Sequence, residues 1–129
     1  MTETGGTETG GTGAGDAALI WSPFGDEDSA ATVATALLDE GLIACANILP
    51  GIRSLYIWQG ERGEGREVAV MFKTRVDRLE AAMARLEALH PYEAPAICGW
   101  RCDATGNAAR NWLETMGPGT SAPGTVGAG

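Results

Sequence analysis

The residues of this 129-residue chain that could do chemistry are few, and their spacing limits what that chemistry would be. One histidine, His90, and three cysteines, Cys45, Cys98 and Cys102, are the soft or borderline donors a transition metal selects. Cys98 and Cys102 lie four apart; on a strand they share a face but sit about 13 Å apart, too far for one metal or one disulfide. Cys45, on a neighbouring element, could approach one of them. The plainer reading makes all three thiols small buried hydrophobes. His90 stands just before Pro91, so its plainer role is an imidazolium favoured by the dipole at a helix C-terminus. Tyr92 and Glu93 follow at a loop entering a strand. With Lys73 they form the one credible polar constellation, a phenol and a carboxylate for a ligand or metal, or else an ordinary Lys73–Glu93 ion pair between strands. The residues offered to a metal are therefore His90, Cys45 and Glu93. Tyr56 and Trp58 alternate on a strand and share one face, either stacking a small ligand between subunits or packing on a neighbour.

The usual enzyme signatures are missing. The sequence holds no P-loop, GxSxG, HExxH or CxxC motif. Gly60, Gly63 and Gly65 read as a flexible turn with no following helix to offer amides to phosphate. A binding or assembly role is expected rather than catalysis. The net charge is −8 and no run of Lys or Arg forms a patch, so nucleic acid is not an expected partner. No apolar stretch reaches the length of a membrane span. The start of the chain has neither the basic residues nor the apolar run of a signal peptide. Together with an odd cysteine count this leads to the expectation of a cytoplasmic protein.

The elements that must position these residues follow from pattern. Residues 1–15, mostly Gly, Thr and Glu, and 117–129, mostly Gly, Pro, Ser, Thr and Ala, have almost nothing to bury, and are expected to be disordered tails. The domain is expected over 16–116. Residues 17–21 predict a buried strand, and the acids at 26–28 with Ser29 open a helix that Gly41 stops. Residues 42–59 predict one long strand bent by a bulge at Pro50-Gly51. A turn over 59–65 leads into a second arm at 66–74. Asp77 with Glu80 resembles a capping box for a helix that Pro91 ends. A strand over 94–102 follows. A last helix is capped by Thr105 or Asn107, with Ala109, Trp112, Leu113 and Met116 on its inner face. The order βαββαβ is that of an α+β, ferredoxin-like fold carrying an extended β2–β3 hairpin and an extra C-terminal helix. Arms of about ten residues overrun a sheet of ordinary five- to six-residue strands, and a projecting hairpin needs a partner.

The run CANILPGIRSLYIWQGE from Cys45 to Glu61, VAVMFKT at 68–74 and HPYEAP at 90–95 together resemble the CutA divalent-cation-tolerance family. The resemblance implies a homotrimer similar in architecture to the PII signalling proteins, with strand edges paired between subunits and the hairpin reaching across to the next copy. It also implies a tie to divalent metals, copper in bacterial relatives. An alternative within the same architecture is a PII-like sensor holding a small metabolite between subunits. The ligand set proposed for bacterial relatives falls on Ser22, Leu89 and His90, of which only His90 is kept. Glu61 stands where a basic residue is common and Ala96 where an acid is. Ser22-Pro23-Phe24 replaces the usual Thr-Ala-Pro, and the aromatic expected near Ala108 and Ala109 is missing.

Overall fold

The computed structural model describes residues 16–116, so the expected tails at 1–15 and 117–129 lie outside the described residues. The strands are β1 (Ala17–Phe24), β2 (Cys45–Trp58), β3 (Glu61–Arg75) and β4 (Cys98–Arg101). The helices are α1 (Glu27–Asp39), α2 (Leu79–Leu89) and α3 (Asn107–Glu114). The strands form one antiparallel sheet in the order β2-β3-β1-β4. This is the split βαβ arrangement expected from the sequence.

Strict alternation along β1 decides which face is covered. Ala18, Ile20, Ser22 and Phe24 are buried, while Ala17, Leu19, Trp21 and Pro23 are half-buried. Across the ladder, Ile20 faces Phe72 and Phe24 faces Val68. These side chains meet Ala30, Val33, Ala34 and Leu37 of α1 and Leu79, Ala82 and Leu86 of α2 in one core. Each large core side chain stabilises the fold by about 1.5–3 kcal/mol through burial. The opposite face places Leu19, Trp21, Leu49, Met71, Cys98 and Trp100 in neighbouring register positions, and there Leu49 and Trp100 remain exposed.

Helix α1 begins as its sequence dictates. The Asp26 carboxylate accepts the Ser29 amide at 2.7 Å, Glu27 and Asp28 sit at the positive end of the dipole, and Gly41 at φ 73 turns the chain out. Helix α2 corrects the expected capping box. It starts at Leu79 with no side-chain cap, after a short tight turn over Val76–Arg78. Asp77 is drawn instead to Arg75, whose guanidinium donates to it at 2.6 and 3.0 Å. A bidentate charged pair outcompetes a cap. Helix α3 likewise has Gly106 at its N-cap and no side-chain cap, because Thr105 turns its hydroxyl away to accept the Ala17 amide. Of its expected inner face only Leu113 is buried; Trp112 stays exposed.

The hairpin is longer than expected. Its turn is two residues, Gln59-Gly60, both at positive φ (52 and 81), the geometry whose twist matches flanking strands. Gly63 and Gly65 therefore belong to β3 rather than to a loop. The bulge falls where Pro50-Gly51 placed it: the register shifts between Leu49 and Ile52, and Gly51 takes φ 76. In contrast β4 is four residues rather than the nine expected at 94–102. Continuing the ladder would set Ala96 against Pro23 and Pro95 against Phe24, and neither proline has an N–H to contribute.

Candidate functional site at the base of the ribbon

The ladder between β1 and β3 ends at Phe24 and Val68. From Ile52↔Glu67 out to Trp58↔Glu61, β2 and β3 continue with no third strand among the described residues. These seven pairs make a two-stranded ribbon about 23 Å long. Register puts Tyr56 and Trp58 on one of its faces and Leu55 and Ile57 on the other. All four are open to solvent, at 50 %, 56 %, 69 % and 72 % exposure respectively. A ribbon of two strands is at best marginally stable alone. Apolar side chains this exposed, on both faces, mark a surface built to be covered.

Tyr56 lies flat over Gly63, its partner across the ladder. A Cβ at Gly63 would come within 2.3 Å of the ring's Cε1, so only glycine permits this placement. The sequence reading missed that role for Gly63; a glycine directly opposite an aromatic in a hairpin register is the signal that would have found it. A broad, open hollow of about 480 Å³ lies here, lined by Leu55, Tyr56, Ile57, Arg62, Gly63 and Glu64.

At the foot of the ribbon a chain of hydrogen bonds links four elements. His90, the residue that ends α2, is buried and stacks on Phe24 with ring centres 4.1 Å apart. The Tyr92 amide donates to His90 Nδ1 at 3.1 Å. That nitrogen is therefore the acceptor, and Nε2–H donates to the Pro23 carbonyl at 2.9 Å. The Tyr92 hydroxyl donates to Glu67 Oε2 at 2.7 Å. Burial lowers the His90 pKa, only partly opposed by the Pro23 carbonyl and the Glu67 charge. The ring is neutral, which replaces the imidazolium expected at the end of α2. Burial, then the hydrogen bond to Glu67 and its charge, push the Tyr92 phenol up to about 12.

The expected donors to a metal are not brought together within one subunit. Both His90 nitrogens are engaged by protein. Cys45 sits opposite Lys73, which pairs with Leu19 near the start of β1, whereas His90 meets Pro23 near its end; four strand residues, about 13 Å, separate the two levels. Glu93 is exposed. No group of three or more His, Cys, Asp or Glu side chains among the described residues is arranged to hold a metal. The residues present in one chain do not fit a copper centre. Lys73 is half-buried amid Leu19 and Cys45 of adjacent strands, and among the described residues no ion pair joins it to Glu93. The cysteines are less buried than expected: Cys98 is exposed, Cys45 and Cys102 half-buried. Edge strands leave their side chains open until something covers them. Burial with Asp103 and Asp16 nearby raises the Cys102 pKa, so that thiol is not activated.

A profile of the CutA1 divalent ion tolerance protein family matches residues 18–116. The chain belongs to this family. The divalent-cation tolerance protein CutA of Pyrococcus horikoshii is 39% identical over 95 residues, covering 74% of this chain and 92% of that protein. The corresponding protein of Thermus thermophilus is 45% identical over 71 residues, covering 55% of this chain and 69% of that one. Among solved structures, CutA from Xylella fastidiosa superposes with a TM-score of 0.73 at 35% identity, covering 78% of this chain and 97% of that chain. The CutA1 match spans all but the first two of the described residues, ribbon and foot included. The description of the family is one of tolerance to divalent ions and names no reaction.

Proposed function

We propose that this CutA1-family chain works as a homotrimer whose ribbon docks on the next copy, and that its role in divalent-cation tolerance is one of binding or scaffolding rather than catalysis. The observation that carries the reading is the ribbon: seven pairs beyond the body of the sheet, with Leu55, Tyr56, Ile57 and Trp58 each at least half exposed. Covering each of these side chains would contribute about 1–2 kcal/mol. The apolar sheet face bearing Trp21, Leu49 and Trp100, and the open edge of β2, support the same conclusion. The test is Leu55→Glu with Ile57→Glu, read by size-exclusion with light scattering. The reading expects folded chains of lower mass, and an unaltered assembly would overturn it.

A copper or other divalent ion would have to gather donors from more than one subunit. Cys45, half-buried on an edge strand, is the thiol this chain offers there. Calorimetric copper titration of the wild type, Cys45→Ser and His90→Ala tests this: binding lost with Cys45 and kept without His90 supports a shared site, and equal weak uptake in all three dismisses one. The hollow beside Tyr56 and Arg62 favours a second reading, a PII-like sensor with a small metabolite between subunits. Saturable thermal stabilisation by a metabolite, absent with metals, would select it. The compartment we assign is the cytoplasm, supported by three free thiols and checked by cell fractionation.

A further inference from the structure

The bulge and the hydrogen-bonded chain at the foot of the ribbon sit at one level of the sheet. Pro50 and Gly51 together oppose Val68 alone, and a two-against-one mismatch is where an antiparallel pair bends and twists. Gly51 holds φ 76 there with nothing within 4 Å of the Cβ it lacks. The step is sterically open, and glycine resists bending least. One pair farther out, Glu67 faces Ile52. Because β1 stops at Phe24, opposite Val68, no strand among the described residues pairs with the β1-side edge of β3 from Glu67 outward. Tyr92 occupies that gap and grips Glu67 at 2.7 Å. Tyr92 is itself fixed through its amide to His90 Nδ1 and through His90 Nε2 to the carbonyl of Pro23, the second-last residue of β1. Sequence separations of 25 and 67 residues across these bonds show that they tie the ribbon to the body by a route independent of the β2–β3 ladder.

We propose that the Pro50–Gly51 bulge is a pivot for the ribbon, and that the Glu67–Tyr92–His90–Pro23 chain is a stay that fixes the angle at which the ribbon leaves the sheet, making Tyr92 and Glu67 positioning residues for docking onto a second copy. The proposal rests on the assembly reading above. Tyr92→Phe removes one hydroxyl and leaves the ring; Glu67→Gln keeps the shape and removes the charge. Tyr92→Phe is expected to speed subunit exchange roughly tenfold, in line with the loss of one charge-assisted hydrogen bond, and Glu67→Gln by a few-fold, since its amide oxygen still accepts, measured by mixing isotopically labelled and unlabelled protein and reading masses of the intact assembly. Amide exchange should rise in Ile52–Glu67 and stay unchanged in β1 and the body of β3. The double variant should exchange no faster than Tyr92→Phe alone, because both act on the same bond: Phe removes it, and Gln, whose carbonyl oxygen still accepts from the phenol, only weakens it. Wild-type protein that is monomeric sinks the assembly reading itself. Wild-type trimer with unaltered exchange in both variants sinks the stay alone, and so does loss of protection spread evenly over the sheet.

Discussion

Gly63→Ala separates what the ribbon needs in isolation from what it needs in an assembly. The new methyl would meet Tyr56 Cε1 at 2.3 Å, Cζ at 2.5 Å and the hydroxyl at 2.8 Å, so the ring must lift. In a free subunit that movement is cheap, since these atoms are the far end of a half-exposed side chain that can rotate into water. Under a neighbouring subunit the ring has no such freedom. An off-rotamer ring costs about 0.5–1.5 kcal/mol, and at the upper end, acting in all three subunits of the proposed trimer, it reaches about 4 kcal/mol. This corresponds to a roughly thousandfold weaker association constant. Gly65→Ala is the internal control: a Cβ there meets nothing within 4 Å, two ladder positions along the same strand and on the same face. Single-molecule mass measurement over a dilution series should show Gly63→Ala dissociating at concentrations where wild type and Gly65→Ala remain whole. Gly63→Ala that assembles like Gly65→Ala would show that no neighbouring copy confines the Tyr56 ring.

Other consequences can be checked on the isolated protein. Gly51→Ala forces a side chain to φ 76 with no contact to offset it; urea unfolding should show a loss of about 1–2 kcal/mol, mostly recovered by Gly51→Asn, which tolerates that region. Among the described residues Ser22 Oγ is buried without a hydrogen-bond partner, so Ser22→Ala should leave stability unchanged or raise it by up to about 1 kcal/mol; a clear loss would reveal a partner. His90 is held neutral by burial, its pKa below the ordinary value. The unfolded imidazole takes up a proton as pH falls through about 6.5 while the folded one does not. Stability from this group is therefore full above about pH 6.5 and declines below it, towards the folded pKa. Melting temperatures between pH 7 and 5 should fall more steeply for wild type than for His90→Gln, and parallel curves would contradict the assignment.

Much of this architecture was legible in the sequence because local chemistry and global pattern agree. Asp26 with Ser29, Gly41 and the Pro50-Gly51 break each specify backbone geometry by themselves, and the structure uses each accordingly. The misreadings share a cause: a distant partner outbid a local role. Asp77 went to Arg75 and Thr105 to Ala17, and neither contact leaves a mark at helical spacing. The glycines at 63 and 65 suggested a loop when one of them makes room for Tyr56 across the ladder. His90 was placed correctly at the end of α2, but its protonation state depends on Pro23 and Tyr92, one of them 67 residues away. The three thiols were expected to be buried, yet the sheet sets Cys45 and Cys98 on its two edge strands. Burial supplied by a second copy cannot be told, from one sequence, from burial supplied within the chain.

The most direct measurement is the mass of this 129-residue chain in solution, by sedimentation velocity at micromolar concentration and in physiological salt. A ribbon that completes itself only on copies of the same chain predicts a single species at three times the 13.3 kDa subunit. One species at the mass of a single chain, folded and soluble with its ribbon uncovered, would contradict it.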